Sequence, residues 1–186
     1  MSMMDTVIPF ALLCFTSLFT ITSPLSTMPV FLTMTQSLDE KERRAVAIRA
    51  TLVACCALLL FVLAGQFLFK FFGISTNGFR IVGGIIIFRI GFDMLQAKYT
   101  PMNLRKEEIK EYANDVSVAP LGIPLLCGPG AIANAIVLMQ EAYSFEMKTA
   151  VIVAIILVYL ITFVLLRWAG VLVKFIGETG NNVMMR

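Results

Sequence analysis

Histidine is absent from the 186 residues. That absence removes Ser-His nucleophile pairs, His-ligated haem, HExxH zinc sites and histidine proton relays. Charge is scarce as well: Asp, Glu, Lys and Arg make up 15% of the chain, against about 25% in soluble domains. The formal net charge of +3 is scattered over short polar breaks, so there is no basic face to neutralise phosphates, and nucleic acid is not expected as a partner. Cys14, Cys55, Cys56 and Cys127 all fall inside apolar runs without CxxC spacing, so packing is their expected role, and neither a metal site nor a cofactor is expected. No GxxxxGK[ST] phosphate loop occurs. The amino terminus, Met1-Ser-Met-Met-Asp5, lacks a positive n-region, and its apolar run continues past the place for a cleavage site. The first segment is expected to stay as a helix.

What the chain does have is apolar length. Hydrophobic residues make up 59% of it and the mean hydropathy is +0.87. Five hydrophobic segments, near 7–35, 46–72, 79–96, 117–140 and 147–176, are each about long enough to cross a ~30 Å hydrocarbon core as a helix. Nothing alternates polar with apolar as barrel strands do, and unpaired peptide groups in lipid cost several kcal/mol each. The expected fold class is an all-α integral membrane protein, with the lipid bilayer as its surroundings.

Lys41, Arg43, Arg44, Lys98, Arg105, Lys106 and Lys110 fall in the first and third polar breaks, against Lys70, Arg80 and Lys148 at the second and fourth. Positive residues are retained on the cytoplasmic side. This places loops 36–44 and 97–116 in the cytoplasm and the amino terminus outside.

Segments one and four are interrupted in the same style, by Ser23-Pro24-Leu25-Ser26-Thr27-Met28-Pro29 and by Gly128-Pro129-Gly130-Ala131-Ile132-Ala133-Asn134. Leu68-Phe-Lys-Phe-Phe-Gly73 also matches Leu172-Val-Lys-Phe-Ile-Gly177. The interval from Pro24 to Gly73 is 49 residues and that from Pro129 to Gly177 is 48. An internal duplication follows, with a first three-helix repeat over 1–96, a charged loop over 97–116 and a second repeat over 117–186. An odd number of helices per unit inverts the second copy. Six helices are expected in all, the sixth missing from this chain either by shortening or because the gene product lacks its final span.

In inverted-repeat transporters, paired broken helices meet near the midplane, where half-helix N-termini and freed carbonyls hold a solute. The candidate binding residues are therefore Ser23, Pro24, Ser26, Thr27, Pro29, Gly128, Pro129, Gly130 and Asn134. For the hydroxyls the plainer alternative is back-bonding within their own helix, and for Asn134 it is helix–helix adhesion. Arg89 and Asp93, four apart on segment three, can neutralise one another. An ion relay through them, or gating by Arg80, is the weaker alternative to a structural ion pair and an interface anchor.

The run Pro120-Leu-Gly-Ile-Pro-Leu-Leu-Cys-Gly-Pro-Gly-Ala-Ile132 closely resembles the motif of the MarC family of multi-pass bacterial and archaeal membrane proteins. Ser23-Pro24 with Pro29-Val-Phe31, Glu42-Arg-Arg44, Phe72-Gly-Ile-Ser75, Phe79-Arg-Ile-Val-Gly-Gly84 and Asp93-Met-Leu95 extend the likeness over most of the chain. Two positions depart from it: Ser23 stands for the family's usual Asn, and Ser26 for its usual Gly. The resemblance implies a six-helix bacterial inner-membrane protein among small exporters and carriers, some of which handle neutral amino acids such as glycine and alanine. It also places Pro24, Pro29, Gly128, Pro129, Gly130 and Asn134 within or directly after matched motifs.

Three functions compete. The leading one is a secondary transporter of a small polar solute, a neutral amino acid or similar metabolite, worked by alternating access and drawing on a proton or sodium gradient or on the solute's own. The alternative is an intramembrane accessory or scaffold protein whose broken helices are structural; a second copy of the chain is left open as a partner. An intramembrane hydrolase lacks a histidine to activate serine and a second aspartate to pair with Asp93, so no catalytic residue is named and no enzyme is expected. Saturable flux that responds to changes at Ser23 or Asn134 separates carrier from scaffold.

Overall fold

The computed structural model describes residues 3–35, 38–73 and 121–169, together with residue 117 and scattered positions between 75 and 92. Every regular element among these residues is helical: α1 (Met3–Thr22), α2 (Pro24–Met34), α3 (Glu40–Phe72), a wide π-type turn (Leu121–Leu126), α4 (Pro129–Glu141) and α5 (Phe145–Arg167). Among the described residues, three stretches are long and apolar enough to cross a membrane: Thr6–Met34, Glu40–Gly65 and Phe145–Arg167, of 29, 26 and 23 residues. The described positions of the third hydrophobic segment, 81–82, 84–85, 88 and 92, are also helical. Arg80, Arg89 and Asp93, the loop 97–116 and the Leu172–Gly177 anchor lie outside the described residues.

Hydropathy starts the second segment at residue 46, but α3 begins at Glu40. The cause is local. Glu42 N–H donates to Asp39 Oδ1 at 2.7 Å, and Asp39 N–H donates to Glu42 Oε2 at 3.1 Å, a reciprocal capping box that needs no apolar residues. Arg43 Nη2 reaches back 3.2 Å to the carbonyl of Thr35, the C-cap of α2, so one guanidinium ties the end of α2 to the start of α3. At α5 the cap is Ser144, whose hydroxyl accepts from Met147 N–H at 3.2 Å.

The core forms along seams of small and branched residues. On α3 the buried positions Ala47, Ala50, Ala54, Leu58 and Val62 recur every three or four residues, and on α5 so do Val151, Ile155, Val158, Thr162 and Leu166. Their opposite faces are equally apolar and exposed: Leu52, Leu60, Leu63 and Phe67 on α3; Val153, Ile156, Leu160 and Val164 on α5. A helix apolar all round is a membrane helix or the centre of a large core, and in 186 residues only the membrane offers enough apolar surroundings. Helix association in lipid relies on close packing, which favours small residues. The alanine seam of α3 supplies it.

Contacts fix the helix directions. Glu40 Oε1 lies 3.8 Å from Arg167 Nη1, an exposed pair worth little energy that puts the start of α3 and the end of α5 on one side, so these helices run antiparallel. Gly122 packs beside Ala50 and Val53, while Gly65 packs beside Ile136. The 121–141 stretch thus runs parallel to α3, and α5 returns antiparallel to both.

Gly122 marks the tightest of these approaches. A Cβ there would meet the Ser117 carbonyl at 3.0 Å, Val53 Cγ1 at 3.3 Å and the Ala50 carbonyl at 3.4 Å, two of them backbone atoms that cannot rotate away. Gly122→Val is expected to cost about 1–3 kcal/mol of stability, the usual range for overpacking, read as a lower unfolding temperature in detergent. A variant as stable as the parent would show that the turn does not pack against α3 in this way.

Candidate functional site

The first break is at Ser23, between α1 and α2. Pro24 has no N–H to continue the α1 ladder and disfavours the right-handed helical conformation for the residue before it. Ser23 takes φ 44° and ψ 61° and is the one non-glycine residue with positive φ among those described. A left-handed residue costs about 1–2 kcal/mol, so surrounding packing must hold it. The α1 ladder closes with Ser23 N–H on the Phe19 carbonyl at 3.0 Å; α2 opens with Thr27, whose N–H and hydroxyl both reach the Ser23 carbonyl at 3.3 and 3.2 Å. Ser23 Oγ donates to Ser26 Oγ at 2.8 Å, leaving the α2 N-terminus without a side-chain cap.

The second break has the same cause. Ile123, before Pro124, is extended at φ −132°, ψ 123°, and Gly128, before Pro129, is extended at φ −84°, ψ 169°. Pro129 begins α4 at the position where proline fits best. Ile132 N–H then bonds the Gly128 carbonyl at 3.1 Å, and no side chain caps this N-terminus either. Upstream, Cys127 N–H bonds the Gly122 carbonyl at 2.9 Å, and the Leu126 carbonyl accepts from Tyr159 Oη of α5 at 3.0 Å.

The two breaks are level with one another. Asn134 Nδ2 of α4 donates to Ser17 Oγ of α1 at 3.2 Å, and α4 runs parallel to α3, the helix that returns from the span formed by α1 and α2. The helices therefore run antiparallel. From the Ser17–Asn134 contact, six residues forward on α1 reach Ser23 and six residues back on α4 reach Gly128, in each case about 9 Å along the axis. Tyr159 is close to the middle of the 23-residue α5, so the pair of breaks sits well inside the apolar slab.

The site therefore offers two helix N-termini without side-chain caps, the hydroxyls of Ser23 and Ser26, the partly buried amide of Asn134, and Thr22. The Thr22 hydroxyl is buried beside the first break and has no hydrogen-bond partner. Thr27, Pro29 and Gly130, in the first turns of α2 and α4, are buried. Most other hydroxyls return to their own helices: Thr16 to Leu12, Thr20 to Thr16, Thr33 to Pro29 and Thr35 to Phe31. No group of three or more metal-ligating side chains occurs among the described residues.

Three contributors to the site, Ser17, Thr22 and Tyr159, are not among the residues the sequence pointed to. Ser17 and Thr22 are two of several hydroxyl residues in the first segment, and no pattern in the sequence singles them out. Tyr159 was missed, although a lone phenol at the buried phase of an apolar span was a usable signal.

Replacing Ser17 with Ala and Asn134 with Leu, singly and together, measures this crossing. Interhelical hydrogen bonds in membranes couple by about 0.6 kcal/mol on average, and a coupling near that size is expected in a double-mutant cycle on unfolding. Strict additivity would remove the contact.

A family model described as MarC family integral membrane protein matches residues 8–186, a range that includes both breaks. A UPF0056 membrane protein of Methanocaldococcus jannaschii is 39% identical over 178 residues, covering 95% of this chain and 87% of the relative. The UPF0056 membrane protein YvbG of Bacillus subtilis is 34% identical over 175 residues, covering 92% and 83%. A UPF0056 membrane protein of Pyrococcus horikoshii is 34% identical over 184 residues, covering 99% and 88%. No solved structure matches. With nearly its whole length matched by the family model and by relatives of this identity, the chain belongs to the MarC family of integral membrane proteins.

Proposed function

We propose that the protein is a secondary transporter of a small polar solute, a neutral amino acid or similar metabolite, and not an enzyme. The observation that carries this reading is the pairing of two proline-initiated helix breaks, level with one another in antiparallel helices, with a buried unpartnered hydroxyl at one of them. A structural kink needs one proline and no free polar groups. Two uncapped half-helix N-termini at one depth suit the acidic end of a solute, and freed carbonyls suit a cation or ammonium group.

The matched breaks also support two inverted three-helix repeats, which make six helices when both are entire. Alternating access would then rock one repeat against the other around the shared site. The lysine and arginine distribution supports an amino terminus outside and loops 36–44 and 97–116 in the cytoplasm of a bacterial inner membrane. Without a phosphate-loop motif, the coupling source is a proton or sodium gradient or the solute's own, and no cofactor is required. The prevalence of back-bonded hydroxyls favours a second reading, an intramembrane scaffold whose breaks are structural.

Uptake of labelled glycine, alanine and serine into liposomes, with and without imposed proton and sodium gradients, distinguishes the two. A carrier shows saturable uptake that falls at least tenfold in Asn134→Leu and is abolished when Pro129 and Gly130 become Ala and Leu, with expression intact. Flux unchanged in the repaired helix, or no flux for any of these solutes from folded protein, would contradict the proposal.

A further inference from the structure

The geometry points to Tyr159 as a positioning residue: its hydroxyl latches the second helix break by holding the Leu126 carbonyl. Tyr159 is 3% exposed, and its hydroxyl donates to that carbonyl at 3.0 Å, across 33 residues of sequence. The neighbouring buried hydroxyl on α5 behaves differently, because Thr162 Oγ1 turns back to Val158 of its own helix at 2.7 Å.

The place of the acceptor gives the bond its meaning. Leu126 closes the π-type turn, Gly128 is extended, and Pro129 brings no N–H. The α4 ladder begins on the Gly128 carbonyl, two residues past Leu126. In a membrane interior an open carbonyl costs several kcal/mol, and the phenol supplies the missing donor. The Cys127 thiol, next in sequence to Leu126, is buried. A single side chain of α5 therefore holds the backbone that leads into the break. Because this bond joins α5 to the 121–128 stretch, any motion of one against the other must break it. The latch thus deepens the proposed alternating-access reading and rests on it for its role in transport.

Cys127 is a built-in reporter. Tyr159→Phe keeps the ring and removes only the hydroxyl. Two single-cysteine forms of the full chain are prepared in liposomes, one keeping Cys127 and one keeping Cys14, with the other cysteines changed to Ala. Labelling by a membrane-permeant maleimide is timed against denatured protein. Tyr159→Phe is expected to speed Cys127 labelling roughly two- to tenfold, the shift one lost hydrogen bond of ordinary strength supports, and to leave Cys14 unchanged. Thr162→Val, which deletes a hydroxyl one turn away, is expected to change neither.

An unchanged Cys127 rate would overturn the latch. So would equal acceleration at Cys14, or the same response to Thr162→Val, because general loosening would then explain the result. The carrier reading fails separately, by absence of flux in the parent protein, and the labelling result stands in either case.

Discussion

A proline in a membrane helix leaves a carbonyl without its donor, and lipid offers no water to replace it. This fold answers that demand twice. At Ser23 the chain passes through a left-handed residue and restarts, with Thr27 doubling its bonds to the Ser23 carbonyl. At Gly128 it passes through an extended glycine and restarts, with Tyr159 covering the carbonyl of Leu126. The first repair is local and the second is tertiary, so α5 is held to the second break by the satisfaction of a backbone group as well as by packing.

The rest of the packing follows from keeping these breaks enclosed. The alanine seam of α3 lets the π-type turn and α5 approach closely, and Gly122 and Gly65 remove the side chains that would hold the 121–141 stretch away. Arg43 and the Asp39–Glu42 capping box anchor the short link between α2 and α3, so α2 restarts against a fixed neighbour. None of these contacts is strong alone. Together they fix the helices on which the two breaks lie.

Much of this was legible from residue types. Proline and glycine at membrane depth identify both breaks to within a residue or two, because the effect of proline on the preceding residue is steric and needs no tertiary context. Three of the five apolar runs hold the span-competent helices found among the described residues, while the fourth is divided by its own break into the Leu121–Leu126 turn and α4. The register of α1 against α4 depends on which side chains meet, which the repeat alone does not give; the Ser17–Asn134 bond supplies it. The early start of α3 was hidden because a capping box is polar and hydropathy is blind to it. Tyr159 was visible only as a lone phenol in an apolar span; its partner is a carbonyl, which no side-chain pattern records.

The account stands on the two breaks sharing one depth. In a cysteine-free background, the pair Ser23→Cys with Gly128→Cys can be treated with a short bifunctional thiol reagent and compared with the reference pair Ser17→Cys with Asn134→Cys. Cross-linking of both pairs within one chain is the predicted result. Cross-linking of the reference pair alone would mean that the breaks do not face one another, and the shared site would not exist.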